Sequence, residues 1–300
     1  MEGFNNEISS MQGTLNDHEG RIITLECGCN DLGSANTSCS SDGICTCNDN
    51  IAGNKCDICI PGYFPFPDCN LVNSSLLLVT TGYNSEGRLK ITEVVDLDSK
   101  DLPVPTFQNY SKSLDGAVGG WVRNHVIVCG GYVDGEDFSK ECNKIGIESI
   151  SLHGNMKEKR GFAASIVLVD KLWVLGGQNG SKTLASTEYI HHNGSQEDGP
   201  DLPIGLYGHA AIKINETHSM ILGGRSIGKT WFYSHLIGQW IDGPNLLKAR
   251  RYHSVGLITD SVTQDTFIVV SGGFNSGTGE LDSVEILDKE RTAWISGELL

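Results

Sequence analysis

A short apolar run that ends in glycine recurs along most of this 300-residue chain, and no other feature constrains the fold as strongly. The closing glycines are 49, 46, 47 and 49 residues apart, at Gly82, Gly131, Gly177, Gly224 and Gly273. In every run but the first, the preceding residue is also glycine: Gly130, Gly176, Gly223 and Gly272. A fixed period close to 50 residues predicts a repeat architecture built from one supersecondary unit.

Each repeat contains further strand-like segments. A variable polar stretch follows the glycines and leads to a strand such as STEYIH or DSVEIL, and a strand such as GHAAIKI precedes the apolar run. The 37 glycines and an aromatic content of 7% are typical of many short strands separated by turns. We therefore predict an all-β body, a β-propeller of five four-stranded blades. The blades are predicted near 71–115, 116–160, 161–207, 208–252 and 253–300.

Two motifs make the repeat more specific. Trp240 and Trp294 follow the strand after the variable loop, and DGPDLP at 198–203 and DGPNLL at 242–247 are turns with a Pro-Leu-type pattern. With the diglycine strands, these motifs make residues 71–300 resemble a run of kelch repeats, which implies a kelch-type propeller. The first repeat departs from the pattern because it lacks the first glycine, and the first three lack a tryptophan at the expected place.

Eight of the ten cysteines lie between residues 27 and 69, a density that is common in secreted disulfide scaffolds and rare in cytosolic enzymes. Spacing alone leaves 105 pairings open. A zinc site at the C-x2-C pair is the alternative, which the even number of cysteines disfavours. The eight are Cys27, Cys29, Cys39, Cys45, Cys47, Cys56, Cys59 and Cys69.

The cysteine spacing, together with Gly-Tyr-Phe after the seventh cysteine, makes residues 27–70 resemble a laminin-type EGF module. The resemblance implies four bridges, Cys27–Cys39, Cys29–Cys45, Cys47–Cys56 and Cys59–Cys69, and a rigid spacer as the role of the module. With the kelch-like repeats, the chain resembles the extracellular attractin and multiple-EGF-like kelch proteins.

The other two cysteines, Cys129 and Cys142, flank the loop GGYVDGEDFSKE between strands that we expect to be antiparallel neighbours. Opposed positions on such strands bring the Cβ atoms close enough for a disulfide. We predict a bridge across the hairpin base rather than a catalytic thiol. The acidic loop itself is a candidate contact surface, because propeller loops vary freely on a rigid scaffold.

Residues 1–26 carry apolar side chains at alternating spacings of three and four, from Ile8 to Leu25. This heptad seam predicts a helical segment or a short coiled coil, through which the chain would form an oligomer. Gly13 and Gly20 weaken the helix by about 1 kcal/mol each.

Charge and sequons indicate where the chain acts. The net charge of −15 argues against nucleic acid as a partner. No apolar run is long enough to insert into a membrane. Six N-x-S/T sequons predict N-glycosylation in a secretory compartment: Asn36, Asn73, Asn109, Asn179, Asn193 and Asn215. We expect an extracellular protein, secreted or the ectodomain of a membrane protein.

No catalytic motif accompanies the repeats. The kelch-like precedent for an enzyme is galactose oxidase, and its copper ligands would have to come from Tyr207, His209, Tyr252 and His253. These residues fall where the repeat itself places polar residues at the start of a strand, so we predict no metal, no cofactor and no catalytic residue. An intracellular kelch adaptor of a ubiquitin ligase is a third reading, and residues 1–70 show no BTB domain to support it. The expected partner is a protein or a glycan.

The last expectation concerns the ends of the repeat array. The first repeat begins with its diglycine-type strand, without an inner strand before it, and the chain stops after the fourth strand of the fifth repeat. We therefore expect the natural protein to continue past Leu300 with a closing strand.

Overall fold

The computed structural model describes residues 13–16, 22–25, 34–39, 45–48, 51–52, 56, 58–59, 76–84, 87–96, 109–123, 125–133, 137–146 and 149–297. Within these ranges the chain forms strands and no helix. Two compact units are present: Met1–Leu77 with Asp96–Pro103, and Leu78–Val95 with Val104–Leu300.

The described part of the N-terminal segment is β-structure, so the predicted helix is wrong there. Strands β1 (Gly13–Asn16) and β2 (Ile22–Leu25) pair in antiparallel register. The run Ile-Ile-Thr in β2 is rich in β-branched residues, which favour strands, and glycine weakens a helix. This local preference outweighs the heptad spacing, and the expected helical seam for oligomerisation has no basis in these residues.

The described residues of the cysteine-rich segment include four short strands in two antiparallel pairs. Strand β3 pairs with β4, and β5 pairs with β6. Their bounds are Ser34–Cys39, Cys45–Cys47, Ile51–Ala52 and Ile58–Cys59.

The second unit consists of successive β-sheets. A two-stranded sheet is formed by β7 (Leu76–Asn84) and β8 (Gly87–Asp96). Four four-stranded sheets follow, which we number 1 to 4. The five predicted blades thus correspond to four complete sheets and one pair of strands among the described residues.

The bounds of the sheets follow chain order. Sheet 1 contains β10 (Val118–Val122), β11 (His125–Cys129), β13 (Glu141–Ile145) and β14 (Ile150–Asn155). Sheet 2 contains β15 (Ala164–Val167), β16 (Lys171–Leu175), β17 (Thr187–His191) and β18 (Gln196–Gly199). Sheet 3 contains β19 (Ala210–Lys213), β20 (His218–Leu222), β21 (Thr230–Ser234) and β22 (Gln239–Asp242). Sheet 4 contains β23 (Ser254–Thr259), β24 (Thr266–Ser271), β27 (Val284–Leu287) and β28 (Trp294–Gly297). Two small pairs complete the set, β9 (Leu114–Asp115) with β12 (Tyr132–Val133) and β25 (Phe274–Asn275) with β26 (Gly279–Glu280).

Every four-stranded sheet is an antiparallel meander in chain order. The turns between its first and second strands and between its third and fourth strands therefore lie at one end of the sheet, which we call the hairpin end. The loop between its second and third strands and the entry to its first strand lie at the opposite end, which we call the loop end.

Three core clusters each join two successive sheets, and a fourth packs sheet 1 against the β9–β12 pair. The second strand of sheets 1 to 3 is buried over its last four residues, because a central strand is covered on both faces. Sheets 1 and 2 share a cluster that includes Ile127 and Leu172, sheets 2 and 3 one that includes Trp173 and Ile221, and sheets 3 and 4 one that includes Met220 and Ile268.

The diglycines lie where neighbouring sheets meet. The N–H of Gly177 donates to the carbonyl of Leu206 at 2.7 Å, and Gly131 and Gly224 make the equivalent bonds to Arg160 and Arg250. Gly176 and Gly177 have φ of 61° and 96°, in the left-handed region that favours glycine. A Cβ on Gly176 would lie 2.7 Å from the Leu206 carbonyl oxygen, so the next segment can approach only a glycine there.

The two predicted tryptophans also connect successive repeats. The indole N–H of Trp294 donates to the carbonyl of Pro244 at 3.0 Å, and that of Trp240 donates to the carbonyl of Asp201 at 2.9 Å. Both acceptors belong to the Asp-Gly-Pro turn of the preceding repeat. The tryptophan and the turn therefore act together across the boundary between two sheets.

Candidate functional site

Four aromatic side chains form a continuous row at the loop end, and a fifth, Phe274, is linked to them through Arg251. We call the five the aromatic strip: Phe138, Phe162, Tyr252, Tyr207 and Phe274. Ring centroids are 6.3 Å apart for Phe138 and Phe162, and 5.7 Å apart for Phe162 and Tyr252. Tyr207 lies 6.5 Å from Tyr252. Tyr252 is 49% exposed, and the other members are partly exposed. The strip therefore presents an aromatic surface to solvent across sheets 1 to 4.

Two members of the strip occupy one repeated backbone position. Gly116, Phe162, Gly208 and Tyr252 each lie two residues before the first strand of their sheet, with φ between 54° and 66°. A bulky side chain at such a φ is uncommon. The Phe162 ring lies over Gly116 and the Tyr252 ring over Gly208, where an added Cβ would meet ring atoms at 2.6 and 2.7 Å. Aromatic residues and glycines thus alternate from sheet to sheet.

Arg251 carries the positive charge of the strip. Its Nη1 donates to the hydroxyl of Tyr207 at 2.9 Å. Its guanidinium carbon lies 5.2 Å from the ring centroid of Tyr252 and 5.1 Å from that of Phe274, within cation–π range. The rings hold the guanidinium in place without neutralising it.

His209 and His253, considered above as copper ligands with Tyr207 and Tyr252, are buried at the junctions between sheets. Neither ring nitrogen of His209 has a hydrogen-bond partner among the described residues. Burial, together with a smaller contribution from repulsion by His253, lowers the pKa of His209 to about 3. Burial and the charge of Arg250 lower the pKa of His253 to about 4. Both imidazoles are therefore neutral at physiological pH.

Two buried ion pairs were not anticipated from the sequence. Nη2 of Arg160 lies 2.5 Å from a carboxylate oxygen of Glu188, and Nη2 of Arg250 lies 2.6 Å from one of Glu285. Nη1 of Arg250 also donates to the Gly272 carbonyl at 2.7 Å. The sequence Arg-Arg-Tyr-His at 250–253 suggests a solvated charge cluster, and that interpretation is wrong for Arg250, which is fully buried. Each pair neutralises its own charges inside the protein, so neither arginine offers a charge to a ligand.

Two disulfides join described cysteines. Cys47 is bonded to Cys56, and Cys129 to Cys142, in both cases the predicted partner. The second pair lies directly opposite in the register of β11 and β13. Cys45 is also disulfide-bonded. The other predicted bridges, Cys27–Cys39, Cys29–Cys45 and Cys59–Cys69, involve side chains outside the described residues.

Three sequons adopt the same turn. The side-chain oxygens of Asn179, Asn193 and Asn215 each accept hydrogen bonds from the backbone N–H and the hydroxyl two residues later, at 2.7 to 3.1 Å. Asn193 and Asn215 are exposed and lie in turns at the hairpin end. Asn109 is exposed, and its side-chain oxygen accepts a bond from the N–H of Thr92. The side chain of Asn36 and the whole of Asn73 lie outside the described residues.

A cavity of about 580 Å³ lies beside sheet 1. Tyr110, Asp137 and Phe138 line it, and burial raises the pKa of Tyr110. Asp137 belongs to the acidic loop named above, and its carboxylate is paired with Lys159. The loop therefore does not present this carboxylate as a free ligand.

Neither a metal site nor a membrane span emerges from the described ranges. They contain no group of three or more His, Cys, Asp or Glu residues placed to hold a metal ion. They also contain no helix long and apolar enough to cross a bilayer.

Sequence comparisons characterise the cysteine-rich segment. Residues 27–73 match the family described as Laminin EGF domain. Laminin subunit gamma-1 of Danio rerio is 51% identical over 39 residues, which cover 13% of this chain and 2% of that protein. Laminin subunit alpha of Drosophila melanogaster is 49% identical over 47 residues, 15% of this chain and 1% of that protein. Netrin-G2 of Homo sapiens is 36% identical over 62 residues, 20% of this chain and 12% of that protein. The chain thus spans a small part of each relative, and residues 27–73 form a laminin-type EGF module.

Proposed function

We propose that this chain is part of an extracellular protein-interaction or adhesion protein without catalytic activity. Its repeats would form a kelch-type propeller whose loops bind a protein or glycan partner, and its EGF-type module would act as a rigid spacer. The observation that carries the proposal is the laminin-type EGF module at 27–73, since such modules occur in the laminin and netrin relatives.

The geometry of the second unit supports the propeller part of the proposal. Four antiparallel meanders follow one another, and the first strands of successive sheets are neighbours. The same backbone bonds and the same tryptophan contact recur at successive boundaries. Repeats that are joined to their neighbours in this way are typical of propellers and solenoids. Galactose oxidase-like chemistry and a ubiquitin-ligase role find no comparable support in the described residues.

Binding to cells tests this function. The full chain, secreted behind a heterologous signal peptide and multimerised through a tag, should bind the surface or matrix of some cultured cell lines. Loss of binding after trypsin treatment would identify a protein partner, and loss after glycosidase treatment would identify a glycan. Absence of binding to every line, with a correctly disulfide-bonded chain, would contradict the proposal.

A further inference from the structure

We propose that the aromatic strip and Arg251 form the docking surface for a short segment of a partner protein, in which a carboxylate side chain lies between apolar side chains. The inference rests on the proposed function and adds the location of the contact and the chemistry of the partner.

The apolar part of the inference follows from exposure. Phe162 and Tyr252 occupy a left-handed backbone position that the other two sheets fill with glycine. A bulky residue in this conformation strains the backbone, so its presence at two of the four positions calls for a reason other than folding. Their rings extend over the neighbouring glycine and keep part of their surface in solvent. Tyrosine, phenylalanine and arginine are also enriched at the centres of protein interfaces.

The acidic part of the inference follows from charge. Arg251 forms no ion pair with any residue that the structure describes, and its hydrogen-bond partner at the strip is a neutral hydroxyl. Arg160 and Arg250, in contrast, are neutralised by buried glutamates. A guanidinium held among rings, with donors left over, is complementary to a carboxylate.

The shape of the strip favours a peptide over a sugar. Neighbouring rings are inclined to one another by 74°, 59° and 53°. Inclined rings produce ridges and hollows that accept alternating side chains, whereas a sugar ring stacks best on one flat, open face. The segment that binds here should therefore be a peptide with one acidic residue flanked by apolar ones.

A displayed library of random 12-residue peptides, panned against the full disulfide-bonded chain, tests this proposal. We expect enriched peptides to contain Asp or Glu next to apolar residues, and their affinity to fall with rising salt. Phe162→Gly combined with Tyr252→Gly should weaken these peptides by about 30-fold or more. Arg251→Gln should weaken them by about tenfold.

The glycine variants should fold normally, because the same position is occupied by glycine in sheets 1 and 3. Leu236→Ser, at an exposed site of the hairpin end, is the control and should leave affinity unchanged. A library that yields no binder, binders without an acidic residue, or binders insensitive to the glycine variants would overturn the proposal. Selective binding of sulfated oligosaccharides at the strip would do the same. If the glycine variants still bind cells as the parent chain does, the proposed function stands and the docking site is wrong.

Discussion

Sheet 3 has an apolar residue at the position where sheets 2 and 4 have a buried arginine. This difference shows how the fold accommodates the loss of a buried ion pair. Leu206 occupies in sheet 3 the position of Arg160 in sheet 2, as their equivalent bonds to the diglycines show. Glu188 is the second residue of the third strand of sheet 2, and the equivalent residue of sheet 3 is Trp231. Leu206 and Trp231 belong to one apolar cluster. The arginine and the glutamate are therefore replaced together by two apolar residues. This is expected, because a single buried charge without its partner would be costly.

Arg160→Met should lower the free energy of unfolding by about 3–5 kcal/mol, because it leaves the Glu188 carboxylate buried without its cation. Lys159→Met is the matched control, since the Lys159–Asp137 pair is exposed and should contribute less than about 1 kcal/mol. Denaturant unfolding followed by tryptophan fluorescence measures both variants. Equal effects of the two changes would contradict the role assigned to the buried pair.

The two buried histidines should make the second unit sensitive to acid. Their pKa values in the folded state, about 3 and about 4, are below the ordinary value of 6.5, so the unfolded chain binds more protons between these limits. The contribution of the two neutral histidines to the free energy of unfolding is thus fully present above pH 6.5. It falls as the pH drops towards 4, by about 1.4 kcal/mol per pH unit for each histidine.

Unfolding curves at pH 7, 6, 5 and 4.5 test this dependence. His209→Ala combined with His253→Ala is the control, because sheets 1 and 2 have Ala117 and Ala163 at the equivalent positions. The double variant should lose most of the slope across this range. A parent chain equally stable at pH 7 and pH 4.5 would rule out this role for the histidines.

The sequence predicts the roles of individual residues in the site less well than it predicts the strands. Cys129 with Cys142 could be predicted, because both flank one hairpin. Arg250 could not, since its partner Glu285 is 35 positions away and the local sequence is that of a solvated loop. The aromatic strip was missed for the same reason, although aligning the repeats two residues before each first strand would have placed Phe162 beside Tyr252.

At the scale of strands, the period was the decisive signal. Each diglycine lies after the second strand of its sheet, because two successive left-handed residues and a close backbone contact are needed there. Strands β11, β16, β20 and β24 therefore fall where the apolar runs predicted them. The predicted N-terminal helix is wrong for the described residues 13–16 and 22–25, because the heptad spacing does not take account of the strand preference of Ile22 and Ile23.

The contribution of the disulfide between β11 and β13 to stability can be tested separately. The equivalent opposed pair in sheet 2 is Leu175 and Thr187, so the fold tolerates this site without a disulfide. Replacing Cys129 and Cys142 together by alanine should cost about 3 kcal/mol, by release of a short closed loop in the unfolded chain.

Tryptophan fluorescence is a selective readout of this change, because all five tryptophans lie between residues 121 and 294. Reductant should lower the tryptophan-detected Tm of the parent chain and leave that of the double variant unchanged. An equal decrease in both would show that the bridge does not stabilise the sheets.

At the scale of the second unit, the two ends of the sheets differ in chemistry. The loop end carries the aromatic strip and the partly buried sequon at Asn179, and the hairpin end carries the exposed sequons at Asn193 and Asn215. A glycan needs an exposed asparagine in a turn, which both sites provide, and glycans on the hairpin end would leave the strip uncovered.

We expect Asn193 and Asn215 to be glycosylated when the chain is secreted from cultured animal cells. Enzymatic deglycosylation in heavy-oxygen water, followed by peptide mass spectrometry, would mark each occupied asparagine. The variant Asn193→Gln/Asn215→Gln should still bind the acidic peptides selected on the strip. Unmodified asparagines at both sites in the secreted protein would contradict this arrangement.

The backbone bonds between repeats have an evolutionary consequence. The N–H of Phe162 donates to the carbonyl of Gly116, that of Gly208 to Phe162, and that of Tyr252 to Gly208, each at 2.7 Å. Because main-chain atoms alone form this linkage, a duplicated or deleted repeat inherits the junction as long as its residue at this position adopts the left-handed conformation. Selection can therefore rewrite the residues at such a junction, and exchange glycine for an aromatic ring, without having to reinvent how one repeat attaches to the next.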